Sequence, residues 1–219
     1  METIMNITEE LKQEANRFAY FRTQVKEYLK RHGRSYDKFT TTPRDSQLGY
    51  LTESAVRNYL VQQCANRYIV EGWDVAFDMN RIYKAVATDD EREIDYVSSY
   101  FYDSYDLMIQ ERSTGRKICV DVKTAETWKP ISLNWNYLYP VIQNQKAGKD
   151  CVILCYYHKS EKMDQIVLIG YMTEAEIATC QILKADTKTV FGTRNQIDNY
   201  ETKVRNYKSL SHMLENYFG

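Results

Sequence analysis

The sequence predicts a single α/β domain in which a central mixed sheet is flanked by helices and preceded by a helical extension. Three observations predict it. Helical spacing governs roughly the first third of the 219 residues, alternation with a period of two takes over after Gly72, and two near-continuous apolar runs follow. With 43% hydrophobic residues the chain can bury one sizeable core, and with only 8 Gly and 3 Pro it has little material for flexible linkers. One domain is therefore expected over 1–219: a basic helical arm at 1–46, the core at 47–182, and a C-terminal strand and helix extension at 183–219.

Residues 7–31 read as an amphipathic helix, because Thr8 can cap it, Leu11, Ala15, Phe18, Phe21, Val25 and Leu29 recur every three or four residues, and Gly33 can end it. "TTTPRDSQ" reads as a polar break, and the stretch from Leu48 to Gly72 as a second helix. "WDVAFDM" is a short strand candidate, and the run from Lys84 to Asp103 a polar excursion. Two alternating runs joined at "STG" (Ser113 to Gly115) have the form of a β-hairpin. "LNWNYLYPVIQNQKAG" is expected to be helical in its second half, interrupted at Pro140 and closed by Gly148. "CVILCYYHKS" and "QIVLIGYMT" have the length and apolarity of buried strands. A short helix capped by Thr173 follows, and the tail carries one or two weak strands and a last helix.

The longest apolar runs are too short to span a bilayer, and the N-terminus is acidic and polar where a secretory signal would be basic and then apolar. No membrane association and a cytoplasmic location are expected. Five cysteines without metal-ligand spacing point to free thiols in a reducing compartment. His32, His158 and His212 are scattered singly, which supports neither zinc nor a His-based triad. The chain lacks both G-x-G-x-x-G and G-x-x-x-x-G-K-[ST], so no nucleotide cofactor is expected.

The net charge of -1 conceals a segregation. Arg17 to Arg44 carries eight Lys and Arg against two acids, interleaved with aromatic residues, whereas Glu71 to Asp106 carries ten acids against three cations. The basic segment, with Arg22, Lys26, Lys30, Arg31, Arg34 and Lys38, is a candidate for phosphate-backbone contacts, and a solvated basic helix face explains it equally well. Lys129, within the aromatic cluster Trp128, Trp135, Tyr137 and Tyr139, and Gln145, beside Gln143 and Asn144, are candidates for further nucleic-acid contacts. Core packing and an ordinary helix surface account for the same residues.

"VDVKTAE" (Val120 to Glu126) places Asp121 and Lys123 on one face of a strand, with Val120 and Val122 on the other. Reflection about Thr114 sends Asp106, at the start of the first hairpin arm, opposite Val122 within a residue of register. Asp106, Asp121 and Lys123 can thus converge at one end of the hairpin. Two adjacent carboxylates repel unless a cation lies between them, and a hard divalent ion, Mg2+ or its surrogate Mn2+, is the ordinary solution. A lysine beside such an ion can position or deprotonate a water and offset charge building at phosphorus. Glu53 falls on the Val56, Leu60 and Cys64 stripe of the second helix, where an inward-leaning acid needs a partner. Simpler accounts stand beside these: a same-face ion pair for Asp121 and Lys123, a surface pair with Arg57 for Glu53, and Asp103 in place of Asp106.

A helix acid at Glu53, "YD" at Tyr105 and Asp106, then "VDVKT", followed by a helix and further strands, resembles the PD-(D/E)XK nuclease superfamily over roughly residues 48–173. The resemblance implies a restriction endonuclease-like core, metal binding by Glu53, Asp106, Asp121 and the Val122 carbonyl, and a water organised by Lys123. Tyr105 stands where that family's motif has proline. It further implies Mg2+-dependent hydrolysis of DNA by a type II restriction-like homodimer, with a repair or junction nuclease, or a silent nucleic-acid-binding module, as alternatives. The tripeptide alone is a weak signal, since "DTK" at Asp186 to Lys188 repeats it without a partner acid.

Overall fold

The computed structural model describes residues 2–34, 41–64, 66–102, 104–145, 148–161, 164–188 and 194–219. Lys38 and Asp103 lie outside the described residues. The first helix, Glu9–Arg31 (α1), forms as the spacing predicts: the Thr8 hydroxyl accepts the Leu11 amide, and Ala15, Ala19, Phe21, Val25, Tyr28 and Leu29 are buried along one side. Gly33 follows it with φ +73°, a conformation that costs glycine little.

The second helix, Pro43–Cys64 (α2), departs from expectation at both ends. It starts inside the expected polar break because Thr42 and Asp45 cap each other reciprocally through amide and side chain, and Pro43 suits the first helical position. It stops at Cys64, and Tyr68–Gly72 (β2) is a strand, because Tyr68 and Val70 alternate into the core while their backbone pairs antiparallel with Leu107–Glu111 (β3).

The strand expected at "WDVAFDM" is a 3-10 turn, Trp73–Ala76, whose Trp73 amide donates to the Asp106 carbonyl. The expected polar excursion holds the second half of one helix, Met79–Thr88 (α3), and the whole of another, Ile94–Phe101 (α4), joined by a 3-10 turn. Asp78 caps α3 and Asp90 caps the 3-10 turn through their carboxylates, so part of the acidity is capping. Ile82, Ala85, Val97, Tyr100 and Phe101 then pack against Phe21, Val25, Tyr28 and Leu29 of α1 as a core of their own.

The hairpin forms as predicted between β3 and Lys117–Thr127 (β4). Beside β4 lies Cys151–His158 (β6), parallel to it, and then Gln165–Thr173 (β7) and the edge strand Glu2–Asn6 (β1), both antiparallel. The sheet is mixed, in the order β1-β7-β6-β4-β3-β2. Gly170, at φ +144° beside the register shift of β6 and β7, approaches the Lys208 carbonyl so closely that a side chain would overlap it.

A second, three-stranded sheet was not foreseen in the sequence. Of "LNWNYLYPVIQNQKAG", the half after Pro140 is helical for a single turn, Val141–Asn144 (α5), as expected, whereas the half before it forms a strand, Asn136–Pro140 (β5), that pairs along its length with Asn199–Lys203 (β9), which also pairs with Gln181–Leu183 (β8). Glu174–Ala178 (α6), with a Thr173/Glu176 capping box, and Leu210–Phe218 (α7) complete the chain as expected. Both faces of β4 are thus covered. Val120 and Val122 join the core formed with α2, whereas Tyr139, Val152, Leu154 and Tyr200 fill the layer between the two sheets. Cys151 and Cys155 are buried and all five cysteines are free thiols. Among the described residues no helix is long and apolar enough to cross a membrane.

Candidate active site

The hairpin register is one residue from the reflection about Thr114. Leu107 pairs with Val120, so the next step places Asp106 beside Asp121. Asp106 sits just before β3, where its amide donates to the Val120 carbonyl (2.9 Å) and its carboxylate Oδ2 accepts the Val122 amide (2.6 Å). A side chain here takes over the pairing that a strand carbonyl would otherwise supply.

Asp121 is 8% exposed and both its oxygens are engaged: Oδ1 accepts from Lys123 Nζ at 2.8 Å, and Oδ2 from the Tyr139 hydroxyl at 3.0 Å. Glu53 reaches the same space from α2. Its stripe mates Val56 and Leu60 are buried, Arg57 turns to the Val70 carbonyl, and Gly49, one turn earlier, leaves room for the Glu53 carboxylate, which a methyl there would touch at 3.4 Å. Glu53, Asp106, Asp121, Val122 and Lys123 all line one open cleft of about 700 Å³.

The electrostatics follow from crowding. Burial, then the charges of Glu53 and Asp121, push the Asp106 carboxyl well above the usual carboxylate range. Burial also raises Glu53, to about 7, against the pull of Arg22 and Lys123. For Asp121 burial pushes upward too, but Lys123 and a hydrogen bond with Asp106 outweigh it and hold the carboxyl below its ordinary value. Lys123 itself stays above its ordinary value, since Asp121 and Asp106 overcome the cost of its burial.

Of the cations expected to meet phosphates that lie among the described residues, Arg22 lines this cleft. Its guanidinium lies 4.8 Å over the Phe101 ring and donates to the Phe101 carbonyl. Lys26 donates to the Thr41 carbonyl, and Lys30 pairs with Glu27. Arg31 pairs with Asp89 and Arg34 with Asp95, so the basic and acidic segments of the sequence partly neutralise each other where α1 meets α3 and α4. Lys129 and Gln145 are exposed, outside the cleft lining.

Two residues that no motif marks belong to the site. Tyr139 comes from β5 of the smaller sheet and is fully buried, so only the pairing of that sheet reveals its reach to Asp121. Lys149, just before β6, lines the cleft with its side chain 3% exposed, paired with Glu174 at 3.2 Å. A buried lysine directly after Gly148 carries no periodic signal.

Among the described residues, no three His, Cys, Asp or Glu side chains gather as a ready-made metal cage. The site instead combines two touching carboxyls, a third from α2, and the ammoniums of Lys123 and Lys149. Compared with protein-family models, curated proteins and solved structures, the chain matches none.

Proposed function

We propose that the protein is a divalent-metal-dependent endonuclease that hydrolyses DNA phosphodiesters, of the type II restriction kind and working as a homodimer. The observation that carries this reading is the meeting of Asp106, Asp121 and Lys123 at one end of the hairpin, with Glu53 across the same cleft. The donor set suits the ion. Mg2+ takes hard oxygen ligands and commonly only one or two protein carboxylates, the remainder being water and substrate phosphate, which does not require a closed cage. Asp106, Asp121 and the Val122 carbonyl would hold it, with Glu53 as a further donor. Once bound, it would supply Lewis-acid polarisation of the phosphate and a more acidic water.

The chain's own residues account for the rest. Lys123 stays protonated, so its ammonium, which rests on Asp121 in the absence of metal, can turn to orient a water by hydrogen bonding and offset charge on the phosphate. Arg22, fixed against Phe101, brings a planar donor to the cleft wall, suited to phosphate oxygens.

One observation favours a second reading, a structure-specific repair or junction nuclease. Ile142 and Ile197 line the cleft while 51% and 47% exposed, an apolar edge against which unstacked bases could rest.

Incubation with Mg2+ and a panel of genomic DNAs, supercoiled plasmid and branched oligonucleotides tests both. Cleavage by the wild type that is lost in Asp121→Ala and Lys123→Ala supports the nuclease, and the preferred substrate separates the two readings. Binding without cleavage, unchanged by either substitution, would make the protein a non-catalytic nucleic-acid-binding module.

A further inference from the structure

The smaller sheet looks like an appendage to the six-stranded one, yet it sends one buried polar group to the cleft chemistry. We propose that Tyr139 is a positioning residue for the metal-binding carboxylate Asp121, so that the β5-β9-β8 sheet is part of the catalytic apparatus. This rests on the metal reading given above.

A free carboxylate rotates about its last bond, and a metal ligand benefits from having that rotation stopped. Asp121 is held from two sides. Lys123, two residues along the same strand, holds Oδ1, and Tyr139 holds Oδ2 from the opposite sheet. The phenol has no exposure, and its hydroxyl donates to Asp121 Oδ2 at 3.0 Å, so it is a fixed donor. Lys123 is the less constant of the two anchors, because its ammonium must also serve the water and the phosphate. When it turns to them, Tyr139 keeps the carboxylate plane set toward Asp106. Hydrogen bonds of this outer kind typically change metal affinity or activity 10–100-fold.

The placement of Tyr139 depends on the C-terminal part of the chain. Residues 136–140 pair with 199–203, with Tyr139 opposite Tyr200, and the Thr202 hydroxyl donates to the Tyr137 carbonyl. The extension at 183–219 therefore clamps the strand that carries the positioning hydroxyl.

Tyr139→Phe removes the hydroxyl and keeps the ring, and Tyr200→Phe is the control within the same sheet. Mn2+ binding to the full chain is followed by isothermal titration calorimetry, beside the metal-free melting temperature and the Mg2+ concentration needed for half-maximal cleavage. Tyr139→Phe is expected to weaken Mn2+ binding about 10–100-fold and raise the Mg2+ requirement by a similar factor, with a melting temperature within a few degrees of wild type and Tyr200→Phe unchanged in both. Unaltered Mn2+ affinity in a folded Tyr139→Phe would overturn the proposal. If Tyr139→Phe fails to fold, Asp121 is approached from the other side: a wild-type Mn2+ affinity in the double truncation Tyr200→Ala/Thr202→Ala, which loosens β5, would overturn it equally. Wild-type protein that takes up no Mn2+ is a separate failure, that of the metal reading, and the proposal falls with it.

Discussion

The amide of Val122 donates to Asp106 Oδ2 at 2.6 Å, so the first acid of the cleft is tied to the strand that carries the second acid and the lysine. The contact fixes two things at once. It holds the end of the hairpin closed, and it turns the Val122 carbonyl and the Asp106 carboxylate toward a common space. The cost is an acid pushed well above its usual range by burial and by its neighbours Glu53 and Asp121.

Asp106→Asn separates these roles. The amide oxygen still accepts from Val122, while a carboxyl whose ionisation burial and its neighbours oppose is gone, so the melting temperature is expected to stay within a few degrees of wild type and cleavage to fall by at least ~10²-fold. Asp106→Ala loses the anchor as well and should melt below wild type. A thermal-shift series with cleavage assays checks both, and an active Asp106→Asn would remove Asp106 from the chemistry.

Glu53 gives a pH signature. Its carboxyl titrates at about 7 in the folded chain and near the ordinary glutamate value, about 4.3, when unfolded. Between those values the folded state holds a proton that the unfolded state has released, so this group's contribution to stability is present below about pH 4 and is lost as pH rises through 7. Metal-free protein is expected to lose several degrees of melting temperature between pH 5 and 7.5 from this source, and Glu53→Gln to flatten that part of the curve. Identical pH profiles for the two proteins would show that Glu53 ionises normally.

The cations of the basic arm should divide into two groups. Arg31 and Arg34 are committed to Asp89 and Asp95, so replacing either with alanine is expected to leave DNA affinity within about twofold of wild type, as for rim contacts outside a binding site. Arg22→Ala, in the cleft wall, is expected to reduce cleavage about 10-fold or more, and Arg22→Lys to restore it only in part because the planar fork is lost. Fluorescence anisotropy and single-turnover cleavage distinguish the groups, and equal losses across all three arginines would return the whole arm to the DNA interface.

Gly170 is the position where the backbone leaves no alternative. With φ at +144° and the Lys208 carbonyl against it, Gly170→Ala must displace the segment that leads into α7. A loss of at least ~2 kcal/mol is expected, which for a chain of this size is about 4–8 °C of melting temperature. An unchanged melting curve would show that the approach is relaxed in solution.

The chemistry-bearing hairpin was legible because β3 and β4 alternate with a period of two and are joined by a short glycine turn, so Asp106 and Asp121 could be brought together by counting. The buried strands β6 and β7 announced themselves by apolar length. The segment 73–101 did not, because its acids serve as caps and as partners for α1, and polarity of that origin is indistinguishable in sequence from a solvated loop. For Tyr139 the contact that matters is made through pairing with β9, some sixty residues later, which no local pattern encodes. The charge segregation was visible, but its resolution into ion pairs within the fold needed the packing of α1 on α3 and α4.

The central claim is that the end of the β3–β4 hairpin is a divalent-cation site, and anomalous diffraction from crystals grown with Mn2+ tests it most directly. The expected result is a manganese peak bonded by carboxylate oxygens of Asp106 and Asp121 and by the Val122 carbonyl, at roughly 2.0–2.3 Å as for hard oxygen ligands, with Lys123 displaced from Asp121. Crystals that show no manganese between these carboxylates, with Lys123 still bonded to Asp121 Oδ1, would contradict it.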